Sequence, residues 1–215
     1  MKRTRGISPS TVRRLPRYYR QLTKLADAGV DRISSTELSQ QINISASQIR
    51  QDLNNFGAFG QQGYGYSVVT LRSNIASILG LEFNYNMIII GAGNLGKALA
   101  SYSGFEHQGF FVRAIFDKFP LTGRKLGELT ILNVSELSDY ARTNPIDIAI
   151  LTMRADNYDD IAQQIFSING LKAVWNFTTS DLRPPEGILI EDVHLSDSLM
   201  VLSFGLHNAR LCAPN

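Results

Sequence analysis

The chain has 215 residues, 44% hydrophobic and 19% charged, which is enough for two domains and too mixed for a fibrous or disordered protein. No apolar run approaches the roughly 20 residues of a membrane span, Cys212 is the single cysteine and fits a reducing cytoplasm, and His107, His194 and His207 show no metal-ligand spacing. The net charge of +2 divides unevenly: residues 1–80 carry 11 Lys and Arg against 4 Asp and Glu, residues 81–215 carry 10 against 15, so the first part suits a polyanion and the second something else.

Residues 1–6 hold Lys2, Arg3 and Arg5 without an apolar pattern and read as a basic arm. Ser8-Pro9 starts a helix, and Pro16 either kinks it or opens its main segment. Tyr18, Leu22, Leu25 and Ala26 share one face of it as far as Gly29. Arg13, Arg14, Arg17 and Arg20 lie on or beside this helix, and in so basic a segment the expected partner is a phosphate backbone. Ser34 and Glu37 have capping-box spacing for a short helix to about residue 41. Ser45 and Gln48 repeat the box for another to about residue 55. Two short helices joined by a tight turn, after a longer first one, describe a helix-turn-helix. On the second, Ile49 and Leu53 face inward, leaving Ser47, Gln48, Arg50, Gln51 and Asn54 to project outward. Arg there suits guanine, Gln or Asn adenine. Ser34 and Ser35 are further candidate DNA contacts. Residues 56–69 interleave glycines with aromatics and predict a hairpin wing, where Gly60, Gly63 and Tyr64 come close to a DNA strand. A helix from residue 71 to Gly80 follows, with no long linker beyond it.

Met87 to Ile90 is a uniformly apolar run that suits a buried parallel strand. It stops at Gly91-Ala92-Gly93-Asn94-Leu95-Gly96, a G-x-G-x-x-G, before helix formers resume at Lys97. Gly91 permits the bend, Gly93 lets a pyrophosphate approach the backbone, and Gly96 lets helix pack on strand. The helix start offers unpaired N–H groups to phosphates. A second strand over residues 111–116 ends at Asp117, about 20 residues beyond the last glycine, where a carboxylate accepts from a ribose 2′-OH and repels a 2′-phosphate. That favours NADH and NAD+ over their phosphorylated forms, with Lys118 beside it. Short strands near residues 129–132, 146–151, 173–177 and 188–191 alternate with helices near 135–142 and 157–168, indicating a parallel sheet. Strand ends face the ligand crevice, so Thr152, Met153, Asn176 and Phe177 are candidate walls. Residues 196–211 read as an amphipathic helix with more apolar surface than one small domain needs, and a dimer contact is the sharper of its two readings.

The two halves together resemble the redox-sensing transcriptional repressors of the bacterial Rex family. The resemblance rests on Arg13-Arg14-Leu15-Pro16, Tyr18-Tyr19-Arg20, Ile33-Ser34-Ser35-x-Glu37-Leu38 and Gln48-Ile49-Arg50-x-Asp52-Leu53. It continues through Phe56-Gly57-x-Phe59-Gly60, Gly63-x-Gly65-Tyr66, Gly93-Asn94-Leu95-Gly96, Tyr102-Ser103-Gly104-Phe105, Phe116-Asp117 and Asn176-Phe177. It implies an N-terminal winged-helix domain (1–80) for a palindromic double-stranded operator, a Rossmann NAD(H) domain (81–193) and a C-terminal helix (194–215) exchanged within a homodimer. It also implies that NADH favours release from DNA and that Tyr102 lies near the nicotinamide. Two positions depart from the family: Val193-His194-Leu195 replaces Val-Asp-Leu or Val-Asp-Phe, and Met153-Arg154 replaces Val-Pro. His194 puts a pH-responsive type of side chain where the family carries a fixed charge. The rival reading is an NAD-dependent dehydrogenase with an appended DNA-binding domain, for which His194 is the only candidate acid or base. A third is a site for a coenzyme A derivative, against which Asp117 argues.

Overall fold

Ser8 accepts a hydrogen bond from the Thr11 amide and starts α1 (Pro9–Asp27). Pro16 neither kinks α1 into two helices nor opens a new one. Val12, whose carbonyl loses its donor to the proline ring, is exposed and so can turn to water. The computed structural model describes residues 7–56, 60–61, 64–118, 124–153 and 158–211. Its contacts divide the chain into two compact units, Met1–Phe83 and Asn84–Asn215.

In the first unit α1 is followed by β1 (Arg32–Ile33), α2 (Ser35–Ile42), α3 (Ala46–Asn54), β2 (Gly60–Gln61), β3 (Gly65–Ser67) and α4 (Val68–Leu79). The three strands pair antiparallel in the order β1-β3-β2, giving a hairpin wing behind two short helices. The Ser34–Glu37 capping box forms in both directions. The second one does not: Ser45 accepts from the Gln48 amide, but the Gln48 side chain turns away to Asp52. Leu15, Tyr18 and Leu22 of α1 pack with Leu38, Ile49, Leu53, Leu71 and Ile75 in a single core. α4 starts earlier than residue 71 because Ser67 caps it by accepting from the Thr70 amide.

The second unit contains β4 (Tyr85–Ile90), α5 (Asn94–Ala100), β5 (Phe110–Asp117), β6 (Lys125–Leu126), β7 (Leu129–Asn133), α6 (Leu137–Thr143), β8 (Ile148–Leu151), α7 (Tyr158–Phe166), β9 (Ala173–Asn176), β10 (Leu189–Asp192) and α8 (Leu195–Leu211). Seven strands run in the order β10-β9-β8-β4-β5-β7-β6, parallel except for the short β6, which the sequence pattern does not announce. Alternate residues of the strands point to opposite faces. Ile88, Ile90, Phe116, Ala149 and Val174 meet α6 and α7 on one face. Met87, Ile89, Ile115 and Ile150 meet Leu99 and Ala100 of α5 on the other, together with Phe105, Trp175 and Phe177. The connection from β9 to β10 has no helix, so among the described residues the second face is helix-covered only near β4 and β5.

Candidate functional site

The sheet reverses its winding at β4, which has β5 on one side and β8 on the other, and the crevice of such a sheet lies at that switch point. The turn after β4 is tied to both neighbours: the Gly91 amide donates to the Phe116 carbonyl at 2.7 Å, and the Thr152 amide to the Ile90 carbonyl at 2.9 Å. The Thr152 hydroxyl also donates to the Gly91 carbonyl at 2.8 Å. The three glycines have different reasons to be there. Gly91 has φ +111°, and a Cβ would press on the Met153 amide at 2.8 Å. A Cβ on Gly96 would lie 1.9 Å from the Gly91 carbonyl oxygen, so α5 could not sit on the turn. A Cβ on Gly93 would meet nothing within 4 Å, so packing makes no demand for glycine there. The Asp117 carboxylate comes back over this turn and accepts from the Ala92 amide at 2.6 Å.

Asn94 and Leu95 open α5 beside that turn, and Lys118 is exposed directly after Asp117. Thr152 and Met153 border the turn as expected from their strand end. Asn176 needs a correction as a crevice wall. Its side chain is fully buried, its amide nitrogen donating to the Ser180 carbonyl and to Asp192, its oxygen accepting from the Thr178 amide and hydroxyl. It shapes the loop that carries Phe177 and leaves no polar atom for a ligand. Tyr102 is not gathered with the glycines, since it follows the far end of α5, roughly 10 Å along the helix. Its exposed ring stands edge-on to Phe105 at 4.9 Å, and Phe105, Trp175 and Phe177 continue the aromatic series along the sheet face.

In the first unit Arg13, Ser47, Arg50, Gln51 and Asn54 are exposed. Arg50 donates to the Ser35 hydroxyl at 2.8 Å, which holds the guanidinium over the start of α2, and Ser34 caps that helix. Tyr64 stands out from the wing with 72% of its surface exposed, Gly60 pairs with Tyr66, and Gly63 lies outside the described residues. Two expectations are corrected. Gln48 does not project outward, and Arg14 is engaged by a carboxylate rather than left for a phosphate: both donate to Asp52, Arg14 through Nε at 2.6 Å and a terminal nitrogen at 2.7 Å, Gln48 at 2.9 Å. Burial pushes the Asp52 carboxyl up, but hydrogen bonds from Arg14, Tyr18 and Gln48 and the nearby guanidinium charge outweigh it and hold the group below its ordinary value. Tyr18 moves the opposite way, raised by burial and by its bond to Asp52.

The sequence assigns no role to Asp52 or Arg32. Besides its place in the Gln48-to-Leu53 motif, Asp52 had a visible signal as an acid at i+3 from Ile49 on the apolar face of α3. Arg32 donates to the Tyr64 carbonyl at 2.8 Å and steadies the wing turn, a contact across 32 residues that no local pattern reveals.

Fold and site define a class: a transcription regulator with a winged-helix unit and a dinucleotide-type Rossmann unit. Within that class the chain belongs to the Rex family of redox-sensing transcriptional repressors. It is 52% identical over 204 residues to the redox-sensing transcriptional repressor Rex of Clostridium botulinum (strain Hall), covering 94% of this chain and 97% of that one. It is 48% identical over 212 residues to the Rex repressor of Thermoanaerobacter pseudethanolicus, covering 98% and 94%. A crystal structure of RSP in complex with beta-NAD+ and operator DNA matches with a TM-score of 0.88 at 49% identity, covering 95% of this chain and 94% of that one. RSP in complex with beta-NADH matches at 0.86 and 46%, covering 96% and 97%. Family models describe residues 6–54 as a putative DNA-binding protein N-terminus and residues 83–180 as a CoA binding domain. The relatives are named as repressors, so the chain is a regulator rather than an enzyme, and the dehydrogenase reading is not favoured.

Proposed function

We propose that the chain is a cytoplasmic, homodimeric repressor that holds a palindromic operator through residues 1–80, binds NADH or NAD+ in residues 81–193, and leaves the operator when NADH binds. The observation that carries this reading is Gly93 under Asp117: an open approach to the backbone with a carboxylate beside it, the arrangement that seats a pyrophosphate and a ribose diol. Coenzyme A carries a phosphate on its ribose, which the same carboxylate disfavours. Gly91, Ala92, Gly93, Asn94, Leu95 and Gly96 take the phosphates, Asp117 the ribose, and Thr152 and Met153 the wall. Among the described residues no helix is long and apolar enough to cross a membrane.

The dimer is supported by α8. Leu199, Met200, Val201 and Leu202 are consecutive and all exposed, as are Leu195, Phe204 and Leu206. Four consecutive residues point round most of a helix, so the apolar surface of α8 is spread among its polar residues rather than confined to one stripe, and such a surface is stable when covered. The uncovered sheet face offers the place, a cavity of about 580 Å³ lined by Met87, Phe105, Phe110, Ile148, Trp175 and Ile190. Exchange of α8 between two copies satisfies both surfaces. Because NADH can shift the dimer only through its differential affinity for the bound and released geometries, the test is operator binding with NADH and NAD+ titrated separately. NADH is expected to weaken operator binding and NAD+ to leave it nearly intact; equal effects of the two would refute redox sensing.

A further inference from the structure

α3 carries its outward residues, Arg50, Gln51 and Asn54, opposite an inward face of Ile49, Asp52 and Leu53. A carboxylate on such a face is unusual, because burying a charge is costly unless it is paired and fully hydrogen-bonded. Here every need is met. Asp52 has no exposed surface and accepts from Thr11 at 3.3 Å, Arg14 at 2.6 and 2.7 Å, Tyr18 at 2.6 Å and Gln48 at 2.9 Å. Thr11, Arg14 and Tyr18 fall at i, i+3 and i+7 along α1, so one stripe of α1 is read by one side chain of α3. Leu15 of α1 and Ile49 and Leu53 of α3 belong to one apolar core, which by itself carries no directional bond between the two helices. Hydrogen bonds to a carboxylate weaken steeply when their angles change. The same bonds occupy Arg14, whose neighbours Arg13 and Arg17 are exposed.

We propose that Asp52 is a positioning residue for operator reading: it sets the angle at which α3 presents Arg50, Gln51 and Asn54, and it withholds Arg14 from the phosphate backbone. This rests on the reading of α3 as the operator-facing helix. Asp52 contributes no contact of its own. It adds directional bonds between two helices that otherwise share only an apolar core, and it keeps one cation from adding sequence-blind affinity.

The full-length protein is titrated with operator duplex and with an unrelated duplex over a range of salt concentrations, as wild type, Asp52→Asn, Tyr18→Phe and the double variant Asp52→Asn with Arg14→Gln. Asp52→Asn is expected to lower the operator-to-unrelated affinity ratio by about tenfold, the scale of one lost base contact. It should also bind unrelated DNA more tightly and steepen the log–log salt slope by about one, since Arg14 is released to a phosphate. The double variant restores the slope and keeps the low ratio. Tyr18→Phe, which removes one donor without freeing a charge, lowers the ratio by less and leaves the slope alone. A residue that matters only for stability would lower both affinities together. An unchanged ratio and slope in folded Asp52→Asn, or an unchanged ratio in Tyr18→Phe should the first fail to fold, overturns the proposal. Wild type that does not prefer the operator would instead sink the operator-binding reading on which it stands.

Discussion

Two alanine substitutions in one turn should have opposite consequences. Gly93 is the N-cap of α5 with φ −67°, a region any residue adopts, and its Cβ would meet nothing within 4 Å. Gly93→Ala should therefore fold normally, losing about 1 kcal/mol or less through a poorer cap. The added methyl stands where the pyrophosphate must approach, and forcing a methyl into an occupied contact costs about 1–3 kcal/mol. At 1.4 kcal/mol per factor of ten that is about a 5- to 150-fold loss of NADH affinity. Gly96→Ala has no such room. Its Cβ would be 1.9 Å from the Gly91 carbonyl oxygen and 2.8 Å from the Thr152 hydroxyl, both held by their own hydrogen bonds. It should cost about 3 kcal/mol or more of stability, because α5 must lift off the turn. Thermal unfolding and NADH calorimetry on both variants separate the two effects. If Gly93→Ala folds and binds NADH like wild type, the dinucleotide does not cross this turn.

Asp117→Ala should weaken NADH by about 1.5–3 kcal/mol and narrow its advantage over NADPH, as the 2′-OH loses an acceptor and the 2′-phosphate a repeller; unchanged calorimetric affinities for both would remove Asp117 from the site. Arg50→Ala should relax preference at one base pair per half-site by about 1–3 kcal/mol, whereas Arg13→Ala should weaken all duplexes alike and flatten the salt slope, which gel-shift titrations distinguish. Stability should fall in acid. Asp52 and Asp147 both have folded carboxyls held below their ordinary value, Asp147 because bonds from Lys172 and the Asn86 amide outweigh its burial. Depressed groups stabilise fully above the ordinary carboxylate pKa of about 4 and lose that contribution as pH drops through their lowered values. Melting temperature measured below about pH 4 should therefore decline less steeply in Asp52→Asn than in wild type.

Local physics was readable from the chain, and long-range partnership was not. Ser34 and Glu37 are three residues apart and bond as their spacing requires. Met87 to Ile90 and the glycine turn fall where apolar run and turn chemistry place them. Ser45 and Gln48 have the same spacing as the first box, yet Gln48 is drawn to Asp52, a stronger acceptor because it is charged. Arg14 looks like its neighbours in sequence, and only the fold brings it to a carboxylate 38 residues away. Asn176 likewise looked like a ligand contact because it ends a strand. Its amide instead satisfies Asp192, which arrives from β10 sixteen residues on.

The exposed apolar surface of α8 has a genetic corollary if two copies trade the helix as proposed. In the dimer proposed above, a chain with a damaged reading helix keeps α8 intact, so it would still find a partner and still occupy the partner's sheet face. In a cell making equal amounts of sound and damaged chains, about three quarters of the dimers would contain at least one damaged member. A palindrome needs both halves read at once. Substitutions at Arg50 should thus behave as dominant-negative alleles, and truncations that remove α8 as recessive ones.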